Sequence, residues 1–408
     1  MTTEVETTAT QPTTGPLHGI RVVEMGSLLA GPIVGQMMGD LGADVVKIED
    51  PGKGDPLRQW GQNRPKGQSL WFSIVGRNKR SVTINLREPR GQELVRQLVA
   101  EADVLVENFR PGTMERWGLG YSDLAEINPR LVIVRVSGFG QDGPYASRPG
   151  YGAIGEAMGG LRYVVGDPST PPSRVGISIG DTLAALFATI GALAALRERE
   201  ISGRGQMVDS AIYEAVLGVM ESLVPEWTVS GYQRERTGAI LPKIAPSNVY
   251  PTSDDTWILI AANQDTVFRR LAEAMGRPEL AEDERYATHV ARGEHQAELD
   301  EIVAEFTRRH TAAEVEALMH KHNVPVGKIY RPKEMLADPQ FRARESITSV
   351  DHPVLGEIQM QNVFPRLSRT RGSIRWPGPG LGEHTDEVLR QLGLSDEELQ
   401  KLHDAGVV

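Results

Sequence analysis

A short segment near the middle of the chain places a serine and an aspartate where either could act as a nucleophile. Gly176-Ile-Ser-Ile-Gly180 has the spacing of the nucleophile elbow of serine esterases and thioesterases, and Asp181 follows it directly. An elbow needs a buried strand before the serine, whereas the prolines between Pro168 and Pro172 predict a loop there. We therefore expect Ser178 to be a polar loop residue, and a serine thioesterase stays an alternative function.

Asp181 is followed by a long segment rich in alanine and leucine. Thr182 to Arg197 predicts a helix, with Gly203 shortly after its end and Asp181 at its N-cap. The N–H groups and dipole of a helix start keep a carboxylate ionised and oriented. Because this helix is apolar on nearly every side, we expect it to be buried. The residue types alone leave two roles open for Asp181, a nucleophile or an ordinary cap.

The sequence lacks the residues that several other common kinds of catalysis need. Of nine histidines only His18 precedes residue 289, which argues against a histidine base or a metal site in the first part of the chain. There is no cysteine, which excludes thiolate nucleophiles and disulfides. Neither a P-loop nor a G-x-G-x-x-G loop after a strand occurs. We expect no metal and no tightly bound cofactor.

The overall charge of the chain bears on its partners and location. The 408 residues carry a formal net charge of −10 and no block of Lys or Arg, which argues against nucleic acid or a membrane surface as partner. No stretch approaches the roughly 18 uninterrupted apolar residues of a membrane span. Residues 1–14 are rich in threonine, acidic, and without the pattern of a signal peptide. We expect a cytoplasmic protein with a disordered tail.

The elements around these residues predict a parallel sheet. Between residues 20 and 140 short β-branched runs alternate with helical segments, as in βαβ units. The predicted strands are Ile20 to Glu24, Val45 to Ile48, Ser81 to Asn85, Val104 to Val106 and Leu131 to Val136. From about residue 250 charged, amphipathic helices follow a strand at Trp257 to Ala261. We predict a Rossmann-like large domain over 15–225, a smaller α+β domain over 226–330, and a return linker with C-terminal helices over 331–408.

Seven motifs, in order over about residues 16 to 408, resemble the class III CoA-transferases, which include formyl-CoA, carnitine and succinate-dependent enzymes. The motifs are Leu29-Ala-Gly-Pro32, Leu41-Gly-Ala-Asp-Val-Val-Lys-Ile-Glu49, Asn78-Lys-Arg-Ser81, Glu107-Asn-Phe-Arg-Pro-Gly112, Gly180-Asp181, Gly203-Arg-Gly-Gln206 and Leu381-Gly-Glu-His-Thr385. The resemblance implies two domains joined by linkers into a ring, with two identical chains interlocked. It also implies that a CoA thioester and a carboxylic acid are the substrates, and that Asp181 is the nucleophile.

The resemblance also implies binding residues. Positions expected to line the adenine, pantetheine or thioester region of CoA are Ala30, Ile84, Asn108 and Phe109. Arg87 and Arg116 match positions expected to meet the CoA phosphates, and Tyr151 matches a residue near the acyl group. The alternatives are surface charge for the two arginines and core packing for Ile84 and Phe109.

Departures from the formyl-CoA enzyme argue against oxalate as substrate. Asp50 replaces an arginine near the adenine, Leu29 replaces a glutamine near the substrate, and Ile240-Leu-Pro-Lys-Ile-Ala-Pro246 stands in for a glycine-rich loop. Asp55-Pro-Leu-Arg-Gln-Trp60 is more similar to members that use succinyl-CoA and dicarboxylic acids. Within it Arg58 could bind a distal carboxylate or support the loop.

A 2-methylacyl-CoA racemase on the same fold is a second alternative. Such an enzyme needs a base on each face of the α-carbon and takes them from a histidine and an aspartate. Here Tyr151 occupies the histidine position, and a phenol with a pKa near 10 is a poor substitute for imidazole. The sequence therefore favours CoA transfer through covalent carboxylate chemistry.

Overall fold

The computed structural model describes residues 15–408, which form two compact units. The first holds the described residues up to Leu161, together with Gly176–Glu221 and Gln340–Val408. The second holds Arg162–Val175 and Ser222–Pro339. Breaks at 221/222 and 339/340 lie near the predicted domain boundaries at 225/226 and 330/331, but the composition did not predict that Arg162–Val175 joins the second unit. The predicted tail, 1–14, lies outside the described residues.

Strands and helices alternate along the first part of the chain, and helices predominate after Ala261. The strands are β1 (Arg21–Glu24), β2 (Asp44–Glu49), β3 (Lys79–Thr83), β4 (Val104–Glu107), β5 (Val132–Ser137), β6 (Met207–Ala211), β7 (Ser247–Pro251), β8 (Trp257–Ala261), β9 (Val326–Lys328), β10 (Ile347–His352) and β11 (Gly356–Gln361). The helices are α1 (Ala30–Asp40), α2 (Leu70–Val75), α3 (Pro89–Ala100), α4 (Thr113–Arg116), α5 (Tyr121–Ile127), α6 (Gly152–Met158), α7 (Leu161–Val164), α8 (Ile179–Ser202), α9 (Ile212–Leu217), α10 (Leu223–Ser230), α11 (Asp265–Ala274), α12 (His289–Glu294), α13 (Gln296–Thr307), α14 (Ala312–Lys321), α15 (Pro332–Ala337), α16 (Pro339–Ala343), α17 (Thr385–Gln391) and α18 (Asp396–Asp404). Short 3₁₀ turns lie at Pro56–Gln59, Pro65–Gly67 and Pro278–Ala281.

A parallel six-stranded sheet forms the centre of the first unit, in the order β3-β2-β1-β4-β5-β6. The strand order reverses between β1 and β4, which is where open sheets of this kind bind their ligands. This confirms the predicted α/β class. The prediction missed β6, a short strand with two polar residues, and placed β3 two residues too late.

The second unit contains the antiparallel sheet β7-β8-β9, on which amphipathic helices pack. Its core includes Tyr250, Ile258 and Ile260 from the strands, and Phe268 and Leu299 from the helices. The predicted strand Trp257 to Ala261 is confirmed residue for residue as β8.

Helix α8 extends beyond the predicted Thr182 to Arg197 at both ends and is less buried than expected. It begins at Ile179, so its N-cap is Ser178 and Asp181 lies in its first turn instead of at the cap. The expectation that the helix is buried is also wrong for the single chain, because Ile190 is 62% exposed and Leu186 and Phe187 are exposed beside it. The helix is long and apolar enough to cross a membrane, with a mean hydropathy of 1.8, although core helices of soluble proteins share these properties.

Candidate active site

A cleft of about 200 Å³ opens at the carboxyl ends of the strands on both sides of the sheet's reversal point. Residues just after β1, β2, β3 and β4 form its walls, because parallel strands all end at this edge. The lining residues are Met25, Gly26, Ser27, Ile48, Glu49, Asp50, Gly54, Asp55, Pro56, Ile84, Asn85, Leu86, Arg87, Phe109 and Trp117. The structure therefore brings three of the predicted CoA residues together here, namely Ile84, Arg87 and Phe109.

The cleft combines an apolar interior with a cation at its mouth. Ile84 is fully buried, and the Phe109 ring meets the Trp117 ring edge to face with 5.3 Å between their centroids. The Arg87 side chain is 78% exposed and lies 3.3 Å from a carboxylate oxygen of Asp50. An exposed pair of this kind contributes at most about 1 kcal/mol, so Arg87 can exchange its partner for an anionic ligand at little cost.

Asn108 supports the cleft wall from behind through Ser27, which lines the cleft. The Asn108 amide donates to the Ser27 carbonyl oxygen at 2.9 Å and accepts from the Ser27 N–H at 2.8 Å. This pair of bonds joins the loop after β1 to the end of β4. Ala30 is buried at the start of α1. Neither side chain is among the cleft-lining residues, and the predicted contact of Ala30 with CoA stays a prediction.

Arg116 and Leu29 also lie outside the lining. Arg116 is exposed at the end of α4, where its guanidinium donates to the Thr113 hydroxyl at 3.0 Å. Leu29 is buried in a small apolar cluster with Leu57 and Phe72. Their predicted contacts with the phosphates and with the substrate stay predictions.

Arg58 is bound by the protein's own groups. Its guanidinium makes two 2.7 Å bonds to the Glu49 carboxylate, donates to the Pro379 carbonyl at 3.0 Å and lies 3.8 Å over the Phe72 ring. Burial alone would raise the pKa of Glu49, but the bonds from Arg58 and the charge of Lys47 lower it to about 2. This geometry favours support of the loop, and a role in binding a distal carboxylate stays a prediction.

A buried ionic network lies under the cleft, between the sheet and α1. The Lys47 ammonium is 2.9 Å from Glu24 and 2.8 Å from Asp55, and the Lys79 ammonium is 2.6 Å from the other Glu24 oxygen. Burial opposes the charge on Lys47, yet Glu24, Asp55 and Glu49 raise its pKa, whereas burial lowers the pKa of Lys79 to about 8. The network fixes the strand ends that carry the cleft.

Asp55 connects this network to both loops at the cleft. One of its carboxylate oxygens accepts from the Leu28 N–H at 3.0 Å and from the Leu57 N–H at 2.8 Å. The other oxygen pairs with Lys47. The loop after β1 and the loop after β2 are therefore held at a fixed separation.

Asp181 lies at the same edge of the sheet, beyond β6. The Ser210 hydroxyl, near the end of β6, donates to the Ala184 carbonyl oxygen of α8 at 3.0 Å. The first turn of α8 therefore stands at the carboxyl ends of the strands, as the cleft does. Asp181 is half-buried, whereas Tyr151, just before α6, is 70% exposed. Asp181 and Tyr151 are not among the cleft-lining residues of the described chain.

Sequence reasoning missed several of these residues. The sequence analysis did not predict that Glu24, Lys47, Lys79 and Asp55 form one ionic network, because their pairing depends on strand register. Gly152, which lies against Asp181, could have been suspected because Gly152, Gly155 and Gly159 recur at helical spacing.

The fold and the cleft define a doubly wound α/β protein with a largely apolar cleft and an exposed arginine at the carboxyl edge of its sheet. Among residues 15–408 no three His, Asp or Glu side chains are grouped so that they could hold a metal ion. The conspicuous reactive group at this edge is a carboxylate at a helix start, which can attack an activated acyl carbon.

Comparison with known proteins agrees with this class. The sequence pattern of CoA-transferase family III matches residues 17–385. The chain is 56% identical over 394 residues to succinyl-CoA–D-citramalate CoA-transferase of Chloroflexus aurantiacus, covering 96% of this chain and 98% of that protein. It is 42% identical over 400 residues to the beta subunit of succinyl-CoA–L-malate CoA-transferase of the same organism, covering 97% and 99%. A crystal structure of a CaiB/BaiF family protein from Brucella suis matches with a TM-score of 0.83 and 37% identity, covering 93% of this chain and 99% of that one.

The chain belongs to CoA-transferase family III. It is an enzyme whose substrates are CoA thioesters, as the motifs predicted, and that part of the sequence analysis is confirmed.

Proposed function

We propose that this enzyme moves CoA from succinyl-CoA to a small dicarboxylic acid of four or five carbons, such as citramalate or malate. The observation that carries the proposal is the 56% identity, over nearly the full length of both chains, to a transferase named for succinyl-CoA and D-citramalate. The beta subunit named for succinyl-CoA and L-malate is 42% identical. Both names join succinyl-CoA to a hydroxylated dicarboxylic acid.

Asp181 is the proposed nucleophile. One of its oxygens attacks the thioester carbon, the C–S bond breaks, and an aspartyl–succinyl anhydride and CoA thiolate result. The thiolate then attacks the Asp181 carbonyl carbon, succinate leaves, and an aspartyl-CoA thioester remains. The acceptor carboxylate attacks this thioester, and the released thiolate takes the acceptor's acyl carbon from the second anhydride. Every step exchanges one acyl bond for another, so no net proton or electron is required.

The cleft at the end of β1 to β4 is the proposed CoA site. Its apolar interior, built around Ile84 and Phe109, suits the uncharged parts of CoA, and Arg87 at the mouth suits a phosphate. The proposed CoA-binding residues also include Arg116, as a second cation. Ala30 and Asn108 are proposed to lie beside the cleft wall. Leu29, Arg58 and Tyr151 are the proposed acyl-side residues.

Each intermediate must be shielded from water, since both the anhydride and the thioester hydrolyse. A single chain leaves the apolar side chains of α8 exposed close in sequence to Asp181. We propose that a second identical chain covers them in an interlocked homodimer, and that the enzyme acts in the cytoplasm. The exposed face of α8 supports the homodimer.

Intact-protein mass spectrometry tests the nucleophile. The enzyme is mixed with succinyl-CoA in the absence of acceptor, and we expect a mass increase equal to CoA less one water, mapped by peptide analysis to Asp181. Asp181→Ala should lose both this adduct and transfer to citramalate. Ser178→Ala is the matched control and should keep both.

Two outcomes would overturn the proposal. Transfer that survives in Asp181→Ala and disappears in Ser178→Ala would make Ser178 the nucleophile and favour the thioesterase alternative. Equal rates with dicarboxylic acids and with monocarboxylic acids of similar length would contradict the proposed acceptor class.

A further inference from the structure

The carboxylate of Asp181 fills the space that a side chain at residue 152 would occupy. A methyl group placed on Gly152 would lie 2.8 Å from Cγ of Asp181 and 3.1 Å from Oδ1, and closer still to Oδ2. Carbon and oxygen atoms that are not bonded to each other do not approach this closely without displacement. The nucleophile therefore rests directly on the backbone of the first residue of α6.

The backbone of α8 also approaches α6 closely at Gly180. A methyl group on Gly180 would lie 2.9 Å from the Gly152 carbonyl oxygen and 3.1 Å from Cγ of Glu156. The N–H of Gly180 points to the buried Glu156 carboxylate at 3.5 Å. Two glycines thus let the helix starts meet, and the residue after Gly180 is Asp181.

Two further glycines, which share a helix face with Gly152, pack α6 closely on α9. A methyl group on Gly155 would lie 2.9 Å from Cβ of Ile212, and one on Gly159 would lie 2.6 Å from Cβ of Val216 and 2.7 Å from the Tyr213 carbonyl oxygen. These neighbours are β-branched side chains and backbone of α9, which have little freedom to move. The helix is therefore held along its length against α9.

Gly152 and Gly155 of α6 and Gly159, which follows the last residue of that helix, differ in what would yield to an added methyl group. At Gly155 and Gly159 the obstacle is fixed structure, so the fold must deform. At Gly152 the obstacle is the end of one side chain, which can rotate to another rotamer. Alanine at the first position of a helix also reduces the entropy of the unfolded chain relative to glycine. Substitution at 152 should consequently spare the fold and move the nucleophile.

We propose that Gly152 is a positioning residue for Asp181, whose missing side chain fixes the carboxylate in the geometry that attacks the thioester. This inference rests on the proposed role of Asp181. A displacement of about 1 Å at a reacting group can cost about 100-fold in rate. Gly152 acts through Asp181 and does not itself touch the reacting atoms.

The test compares Gly152→Ala with two other glycine variants in the whole enzyme. Gly152→Ala should lower kcat by about 100-fold. The KM for succinyl-CoA should change by less than about twofold and the melting temperature should not fall, because binding and the fold are untouched and only the geometry in which Asp181 attacks changes. The rate of adduct formation with succinyl-CoA should fall in parallel with kcat.

Gly176→Ala is the matched control, because a methyl group there meets nothing within 4 Å, and it should behave as the wild type. Gly155→Ala is the structural reference and should lower the melting temperature. A kcat of Gly152→Ala within about threefold of wild type would overturn the inference. A fall in its melting temperature as large as that of Gly155→Ala would overturn it too, because Gly152 would then be needed for the fold.

The three variants and Asp181→Ala together separate this inference from the proposed function. An inactive Asp181→Ala together with an active Gly152→Ala contradicts only the role of Gly152. An active Asp181→Ala contradicts the nucleophile, and with it the inference.

Discussion

Glu49 is a buried carboxylate at the cleft whose charge depends on its neighbours. It accepts two bonds from Arg58, one from the Ser81 hydroxyl at 2.7 Å and one from the Asp55 N–H at 2.9 Å. These donors and the nearby Lys47 more than offset its burial and hold its pKa at about 2, against 4.5 for a free glutamate. Glu49 therefore links the cleft wall to the stability of the fold.

This lowered pKa predicts a defined dependence on pH. Because the folded pKa lies below the unfolded one, ionised Glu49 stabilises the fold above about pH 4.5, and this contribution of about 3 kcal/mol is lost as the pH falls from about 5 to 2. Glu49→Gln should therefore be less stable than the wild type at pH 7, and the difference should shrink towards pH 3. Urea unfolding at pH 7, 4 and 3 measures it.

Glu397→Gln is the control for the Glu49 experiment. Glu397 forms an exposed pair with Lys401 on α18, so its removal should cost less than about 1 kcal/mol. A stability difference between wild type and Glu49→Gln that stays constant from pH 7 to pH 3 would contradict the assigned role.

Buried charges also explain why the start of β3 and the ionic network could not be predicted from the sequence. Strand β3 was predicted to begin at Ser81, two residues after Lys79, which is fully buried although lysine is seldom buried unless it is paired. Lys79 is paired with Glu24, and the same Glu24 stands opposite Lys47 in the register of β1 and β2. Such pairing is a property of the assembled sheet, so the sequence indicated the strands but not the network between them.

At the scale of elements, the sequence predicted correctly that α8 is a helix, but it did not predict that one face of this helix is exposed. An apolar helix is typical of a core, and equally of an interface between chains, and periodicity cannot distinguish the two. Ala184 and Ala188 are fully buried in the first unit, whereas Ile190 is 62% exposed. One face of α8 thus packs on the sheet, and the other is exposed in the single chain.

The exposed face predicts the effect of a charge at Ile190. If a second copy covers this face, Ile190→Asp buries an unpaired carboxylate and should shift the enzyme from dimer to monomer with loss of activity. Light scattering coupled to size-exclusion chromatography measures the mass. Val290→Asp, at a site 71% exposed in the second unit, should leave the mass and the activity unchanged. An Ile190→Asp enzyme that stays dimeric would place the interface elsewhere.

At the scale of the whole molecule, the C-terminal segment closes an open edge of the sheet. Strand β3 is an edge strand, and an unpaired edge invites association with other chains. The Trp376 indole donates to the Lys79 carbonyl oxygen at 2.9 Å, the His384 N–H donates to the Ser81 carbonyl oxygen at 2.9 Å, and the Thr83 N–H donates to the Thr385 hydroxyl at 2.9 Å.

The sequence analysis expected a return linker and C-terminal helices over 331–408 but did not predict which strand they contact, and the first unit holds Gln340–Val408 of this range. The Leu381-Gly-Glu-His-Thr385 motif, which helped to suggest the family, lies along β3. Contacts between residues 302 positions apart, such as Thr83 with Thr385, leave no trace in local pattern.

Replacing the Thr385 hydroxyl by a methyl group tests whether the C-terminal segment closes the edge of the sheet at β3. Thr385→Val keeps the shape of the side chain but leaves the buried Thr83 N–H without its acceptor, which costs about 1–3 kcal/mol. The melting temperature should fall, and the amides of β3 should exchange with deuterium faster while those of β4, inside the sheet, change less. Thr228→Val is the control, since its hydroxyl is exposed on α10 and its loss should change stability by no more than about 0.5 kcal/mol. If Thr385→Val protects β3 as well as the wild type does, the C-terminal segment does not seal this edge.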